Sequence, residues 1–378
     1  MTRTNGILRR GLIGTALSFA GGLRAAPATD SLQVAQVVEL TGAYSAIGDA
    51  WRNGVEMAAQ EINAGGGLLG RLVQVMTFDA QSTAAGGHTA MTKALETDPL
   101  AVLGPALTEP ARGALAVARG TRAILLGAGG ADLTGAAHPC VFRTVPSDAA
   151  MMMRLAGWLR DAGHIRRLAI ITSAQQPFRD AGEALPKAAR ATGIELAAEA
   201  TMTTDLLAEL PRLLHAAPDA LAILLPAEAA GRFAAEVRRQ APKLMLIGGR
   251  SLLEPKAIDA AGSAAEGVRA HVLLADAPAQ PDVQAFRDRF LARFKEPPSD
   301  PALAGYVALG AVRAAAEQIG AADPRALCEA LHRLKPNEAQ RRMLLGDGAW
   351  DAAGEIARPS WIVEIRSGRP VALQMLGS

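Results

Sequence analysis

Six histidines, at 88, 138, 164, 215, 271 and 332, are the first places to look for metal or acid–base chemistry, and they are scattered. No two stand at the i, i+4 spacing that puts both imidazoles on one helix face. Two cysteines, Cys140 and Cys328, are too few for a Cys-rich metal motif. The sequence has no Gly-x-Ser-x-Gly elbow, Walker loop or CxxC pair. Nothing in the spacing points to an enzyme, a metal site or a bound cofactor.

Two short stretches can do a different kind of chemistry. Gly104-Pro105-Ala106-Leu107-Thr108 lies between an apolar strand pattern and a helix pattern. A helix N-terminus has unpaired amides and a partial positive charge. Thr108 could cap that helix, donate its hydroxyl to an anion such as a carboxylate, or do both. Gly127-Ala128-Gly129-Gly130 follows the apolar run 123–126. It lacks the third glycine of a dinucleotide fingerprint, and Asp132-Leu133-Thr134-Gly135 reads as a turn, not a helix. It reads instead as a tight strand-end turn that a ligand can approach.

The elements that must position these stretches alternate along the chain. Strand patterns at 32–40, 72–78, 101–103 and 123–126 are interleaved with helix patterns at 51–62, 84–95 and 110–119. A second run holds strands at 168–172, 194–200, 220–225 and 244–247 and helices at 148–161, 180–192, 205–215 and 228–240. Helices at 282–294, 301–319 and 324–333 follow, then a strand-rich tail from 349 to 376 with Trp361-Ile362-Val363 at its centre. This is an α/β chain with two sets of parallel βα units, hence two similar lobes.

The 378 residues carry 39 Lys+Arg against 37 Asp+Glu, with only 4% aromatics, which excludes a basic, stacking nucleic-acid surface. Residues 1–28 read as a secretory signal: Arg3, Arg9 and Arg10, an apolar run from Gly11 to Leu23, then Ala26-Pro27-Ala28. Cleavage there takes away four arginines and no acid, leaving 35 basic against 37 acidic residues. The mature protein is therefore expected outside the cytoplasm, in the periplasm. An oxidising compartment permits a Cys140–Cys328 bridge, but the residue types favour two separately buried thiols.

Leu40-Thr41-Gly42-Ala43-Tyr44 with Gly48, then Gly54, Asn63-Ala64-Gly65-Gly66 and Gly70, resembles the opening of type I periplasmic binding proteins of the leucine/isoleucine/valine-binding branch. The resemblance continues through Gly104-Pro105 with Thr108, Phe142-Arg143-Thr144 with Pro146-Ser147-Asp148, and Ala265-Glu266-Gly267. It ends at Gly346, Trp350-Asp351 and Gly354. It implies two Rossmann-like lobes joined by a three-crossover hinge, residues 31–145 and 277–343 forming one and 146–276 and 344–378 the other. It also implies a solute receptor, a monomer, that closes on a small molecule and presents it to the permease and ATPase of an ABC transporter.

By the same resemblance, a ligand carboxylate meets Thr108, the amides of Ala106 and Leu107, and the loop of Ala128, Gly129 and Gly130. Phe178 covers it from the second lobe, Tyr44 rims the cleft, and Ile47 stands where relatives place an aromatic ring. Trp51 and Tyr306 read as core. Arg250 replaces the acid expected to pair with an amino acid's ammonium, and so suggests an organic or aromatic acid in place of leucine. Its alternative is an ion pair with Glu109 or Glu254, away from any ligand. A ligand-sensing regulator of the same fold, or a Rossmann-like enzyme, are the competing classes.

Overall fold

The computed structural model describes residues 31–377, apart from 119, 121 and 276–279. The proposed leader and its cleavage point lie outside the described residues. The first lobe is built on a parallel five-stranded sheet. Its strands are β1 (Leu32–Val38), β2 (Val73–Asp79), β3 (Val102–Leu103), β4 (Ile124–Leu126) and β5 (Val141–Arg143), in the order β2-β1-β3-β4-β5. Helices α1 (Ser45–Ala64), α2 (Ala84–Glu96) and α3 (Thr108–Leu115) connect the first four. The second lobe's sheet takes seven strands, in the order β12-β11-β10-β9-β8-β6-β7. These are β6 (Arg167–Thr172), β7 (Glu195–Thr201), β8 (Ala220–Leu224), β9 (Met245–Gly248), β10 (Arg269–Val272), β11 (Ser360–Arg366) and β12 (Arg369–Leu376). The first five in chain order run parallel; β11 pairs antiparallel with β10, and β12 with β11.

Helices α4 (Asp148–Asp161), α5 (Phe178–Ala191), α6 (Leu210–His215), α7 (Ala227–Gln240) and α8 (Pro255–Ala261) belong to the second run. Helices α9 (Pro281–Phe294), α10 (Asp300–Ile319), α11 (Pro324–His332) and α12 (Glu338–Leu344) follow β10. The alternation expected from the apolar spacing is present, with ends shifted by a few residues. Four elements had no periodic signal to give: β5 is three residues long, α8 has seven residues with Ala257 alone buried, β10 carries Arg269 and His271, and α12 is mostly polar. The helix expected at 205–215 begins only at Leu210, because Asp205 takes the amide of Leu207 and holds a turn there.

Helix α1 sets the depth of the first lobe. Trp51, Val55, Ala58 and Ile62 face the core at helical spacing, and Gly65 with Gly66 (φ +97°) ends the helix. Helix α10 lies so close to it that a Cβ on Gly54 would stand 2.0 Å from the carbonyl of Ala302, and one on Gly305 2.3 Å from that of Trp51. Small residues on both faces permit this approach. Trp51 is driven under the strand ends, where its ring reaches within 2.5 Å of a Cβ built on Gly127. Trp51 and Tyr306 are core residues, as their spacing suggests.

Cys140 and Cys328 are not separate thiols. They form a disulfide, with a Cα–Cα distance of 5.3 Å, joining the approach to β5 with α11 across 188 residues. Sequence distance hid the pairing: the helices after β10 return to the first lobe and lay α11 beside residues 139–140, where His332 also bonds the carbonyl of Pro139. A cross-link over so long a loop restricts the unfolded chain strongly. Replacing both cysteines by serine is expected to lower unfolding stability by about 2–5 kcal/mol in urea titrations, and reductant should have no further effect on that variant.

Candidate functional site

The carboxyl ends of both parallel sheets carry the loops that sequence pointed to, which is where open α/β sheets hold ligands. Thr108 is the first residue of α3; Leu107 occupies the cap position and gives no side-chain cap. The expected role of Thr108 as a cap is therefore replaced by a bond across the cleft floor: its hydroxyl oxygen accepts the amide of Gly130 at 3.1 Å. Gly130 has no room for a side chain, since a Cβ would stand 2.3 Å from the Thr108 methyl. Because the threonine oxygen accepts, its own proton stays available to a solute.

The loop 127–130 is held by an arginine that the sequence reading treated only as part of a family pattern. Arg143, at the end of β5, is 1% exposed. Its guanidinium donates to the carbonyls of Ala128 and Gly130 and to Glu355. Gly127 donates to the carbonyl of Pro105 at 3.1 Å, and Gly129 accepts the amide of Asp148 at 2.8 Å. Among the described residues, the amides of Ala128 and Gly129 have no partner.

The amides of Ala106 and Leu107 are not free. Both point at the carboxylate of Glu39, just past β1: Leu107 donates to Oε1 at 3.1 Å and Ala106 to Oε2 at 3.4 Å. Glu39 is wholly buried. Burial pushes its carboxyl up from 4.5 to about 7, against the amides that favour the ionised form, and Asp79 adds repulsion. Asp148, at the start of α4, lies against the other loop: a Cβ on Gly129 would stand 2.7 Å from one of its carboxylate oxygens. Burial and then the charge of Asp180 push Asp148 from 3.8 to about 7, with Arg143 opposing.

From the second lobe, Gln176 reaches over α3. Its Oε1 accepts the amide of Glu109 at 3.4 Å, and its Nε2 donates to Asp180 at 2.9 Å. Arg179 pairs with Glu109 at 2.7 Å. Phe178 begins α5, half-buried, and its carbonyl accepts the Thr172 hydroxyl. Tyr44 is half-buried at the head of α1, its amide on the Ser82 hydroxyl, and Ile47 packs on the first-lobe core. Arg250 has a partner within the chain, and it is neither Glu109 nor Glu254. Its guanidinium holds Asp300, at the start of α10, at 2.8 Å, and the carbonyl of Leu274 at 2.5 Å. Asp300 also takes the amide of Leu274. Arg250 thus sits at the chain crossing after β10.

The sequence reading missed Glu39, Asp148, Arg143 and Gln176 as site residues. For Glu39 a signal existed: an acid directly after the apolar run Val37-Val38, at the carboxyl edge of a parallel sheet. The described residues hold no group of three or more His, Cys, Asp or Glu placed to bind a metal.

A parallel sheet and a mostly parallel one, each flanked by helices, define a two-lobed α/β protein. The chain belongs to the periplasmic binding protein family, whose model matches residues 31–370. No curated protein matches it by sequence. Among solved structures it is similar to the branched-chain amino acid transporter substrate-binding protein of Streptococcus pneumoniae in complex with isoleucine. That match has TM-score 0.78 and 19% identity, over 92% of this chain and 100% of that one. A solute-binding protein of an ABC transporter from Rhodopseudomonas palustris, in complex with 3,4-dihydroxybenzoic acid, gives TM-score 0.76 and 20% identity, over 92% and 98%. An ABC transporter substrate-binding protein from Desulfitobacterium hafniense, in complex with leucine, gives 0.74 and 24%, over 91% and 100%. Likeness at this identity speaks for the fold.

Glu39 and Asp148 bind protons more tightly folded than unfolded. The stability this contributes is complete at acid pH, below their ordinary values, and is lost as pH rises through about 7. Urea midpoints are expected to fall between about pH 5 and about pH 8, and the fall should be shallower in Glu39→Gln.

Proposed function

We propose that this protein is the extracytoplasmic solute receptor of an ABC importer, closing its two lobes on one small organic molecule and offering the closed form to a membrane permease with its ATPase. The observation that carries this reading is the meeting of the lobes beside Thr108, where Gln176 and Arg179 of the second lobe both engage Glu109 of α3. Contacts of that kind, made across a cleft, are what a solute bound between the lobes would reinforce. The family supports a receptor over an enzyme, and a periplasmic location for the mature chain.

The solute lies, in this reading, between the loops 104–108 and 127–130 on one side and Gln176 to Phe178 on the other. Tyr44 stands at the rim. Thr108 and the amides of Ala128 and Gly129 supply donors. Asp300 and Leu274 engage Nε and Nη2 of Arg250, so Arg250 serves first as a tie between the lobes and leaves Nη1 for an acidic group. The amino acids and aromatic acids named for the structural neighbours are the classes to screen, together with their amine and amide counterparts.

The test is a thermal-shift screen of the mature protein, with calorimetry on the hits and small-angle scattering with and without ligand. A true solute at 100 times its Kd should add about 2.7 kcal/mol of stability and shrink the radius of gyration. No shift across amino acids, aromatic acids, amines and amides would remove the receptor assignment.

A further inference from the structure

Charged side chains join the two lobes at two places. Arg250, after β9, holds Asp300 through Nε at 3.2 Å and Nη2 at 2.8 Å, and Asp300 also takes the amide of Leu274 at 3.1 Å. That tie is built into the crossing after β10. The second place joins α5 to α3, two helices separated by about seventy residues of chain. There Nη2 of Arg179 donates to Oε1 of Glu109 at 2.7 Å, and the Glu109 amide donates to Oε1 of Gln176 at 3.4 Å. The two charged side chains are 36% and 39% exposed, so dissolved ions reach the pair.

Every member of this second contact has another partner in its own lobe. Glu109 also takes Nη1 of Arg112, one turn along α3, at 2.9 Å. Arg179 lies beside Asp180, Nε to Oδ1 at 3.6 Å, and Nε2 of Gln176 donates to Asp180 at 2.9 Å. When the lobes part, Glu109 keeps Arg112, while Arg179 and Gln176 keep Asp180. No charge is left bare, so the exchange of partners is nearly neutral in either direction. All of these groups belong to the chain, and the contact therefore needs no solute to form.

We propose, resting on the receptor reading above for its consequence, that Glu109, Arg179 and Gln176 form a latch that shuts the lobes without a solute, and that ionic strength sets how often it is shut. At low salt the Arg179–Glu109 attraction acts across the cleft almost unscreened, and a closed form is populated before a solute arrives. At high salt the attraction is screened and the lobes part. The Arg250 tie persists, because its carboxylate is held by two guanidinium nitrogens and a backbone amide. A solute that binds the closed form is then captured more tightly at low salt, in proportion to the closed fraction.

The test is small-angle scattering on the mature protein, stripped of carried solute by denaturing dialysis and refolded with its disulfide intact. It is run in about 0.01 M and about 1 M salt, where the Debye length is roughly 30 Å and roughly 3 Å. Wild type should have the smaller radius of gyration at low salt and expand at high salt. Arg179→Gln and Glu109→Gln, each checked for cooperative melting, should be expanded at both, and Arg179→Lys should keep the response. Where leucine or 3,4-dihydroxybenzoate binds, wild type should bind it about 1.5- to 5-fold more tightly than Arg179→Gln at low salt, and equally at high salt. An empty wild type of unchanged radius, or Gln variants that respond to salt as wild type does, would overturn the latch and leave the receptor reading intact. A salt response confined to wild type and Arg179→Lys, with no binding across the wider solute screen, would keep the latch and remove the receptor.

Discussion

A single buried guanidinium holds the loops at the carboxyl edge of the first lobe's sheet in shape. Arg143 is set at the end of the last strand of its sheet, and it spans the carbonyls of Ala128 and Gly130 and the carboxylate of Glu355. Its own carbonyl accepts the indole N–H of Trp350 at 2.5 Å. Burying a guanidinium is costly unless its donors are met, and here the partners that meet them are loop carbonyls and an acid from the segment leading to β11. The loop 127–130 therefore has its carbonyls turned away from the cleft toward Arg143, and two of its amides are left without partners on the described chain. The same charge lies near enough to Asp148 to favour its ionised form, against burial and Asp180. Loop geometry, the segment entering the second lobe and the electrostatics of the site share one cation.

Behind that face, the helix pair α1 and α10 decides how deep the site can be. Glycines 54 and 305 let the two backbones approach until no side chain fits between them. The approach presses Trp51 up against Gly104 and Gly127, the first residues of the two loops. Any larger residue at Gly127 would collide with the indole, so loop conformation depends on packing between helices well over two hundred residues apart in sequence. The packing beneath these loops is thus tight, and the contacts made from the second lobe by Gln176, Arg179 and Arg250 are polar.

What could be read from the sequence was what local pattern records. Periodicity marked α1 and the strand alternation; glycine spacing marked both loops; Thr108 stood out because a hydroxyl between a strand and a helix has few other uses. Relations across the chain were hidden. Arg250 invited a ligand because Asp300, fifty residues later, is an ordinary first-turn acid until α10 is brought beside the crossing. Cys140 and Cys328 looked like separate thiols because the return of α11 to the first lobe leaves no mark on either neighbourhood. Glu39 was the least visible of all. The apolar run before it marks the sheet edge, but its burial is created by residues 106 and 107, which fold over it from the next but one strand connection.

The site is also where local rules and the global fold disagree, and that disagreement carries information. Two acids beside these loops, Glu39 wholly buried and Asp148 only partly offset by Arg143, are a poor choice for stability alone. Apolar residues at 39 and 148 would avoid the desolvation that raises both carboxyls to about 7. The amides of Ala106 and Leu107 give a partial reason for Glu39, since leaving them bare would also be costly, but a serine or an asparagine could serve them without a charge. Nothing comparable accounts for Asp148, whose carboxylate accepts no hydrogen bond among the described residues. Departures of this kind are most frequent at functional sites.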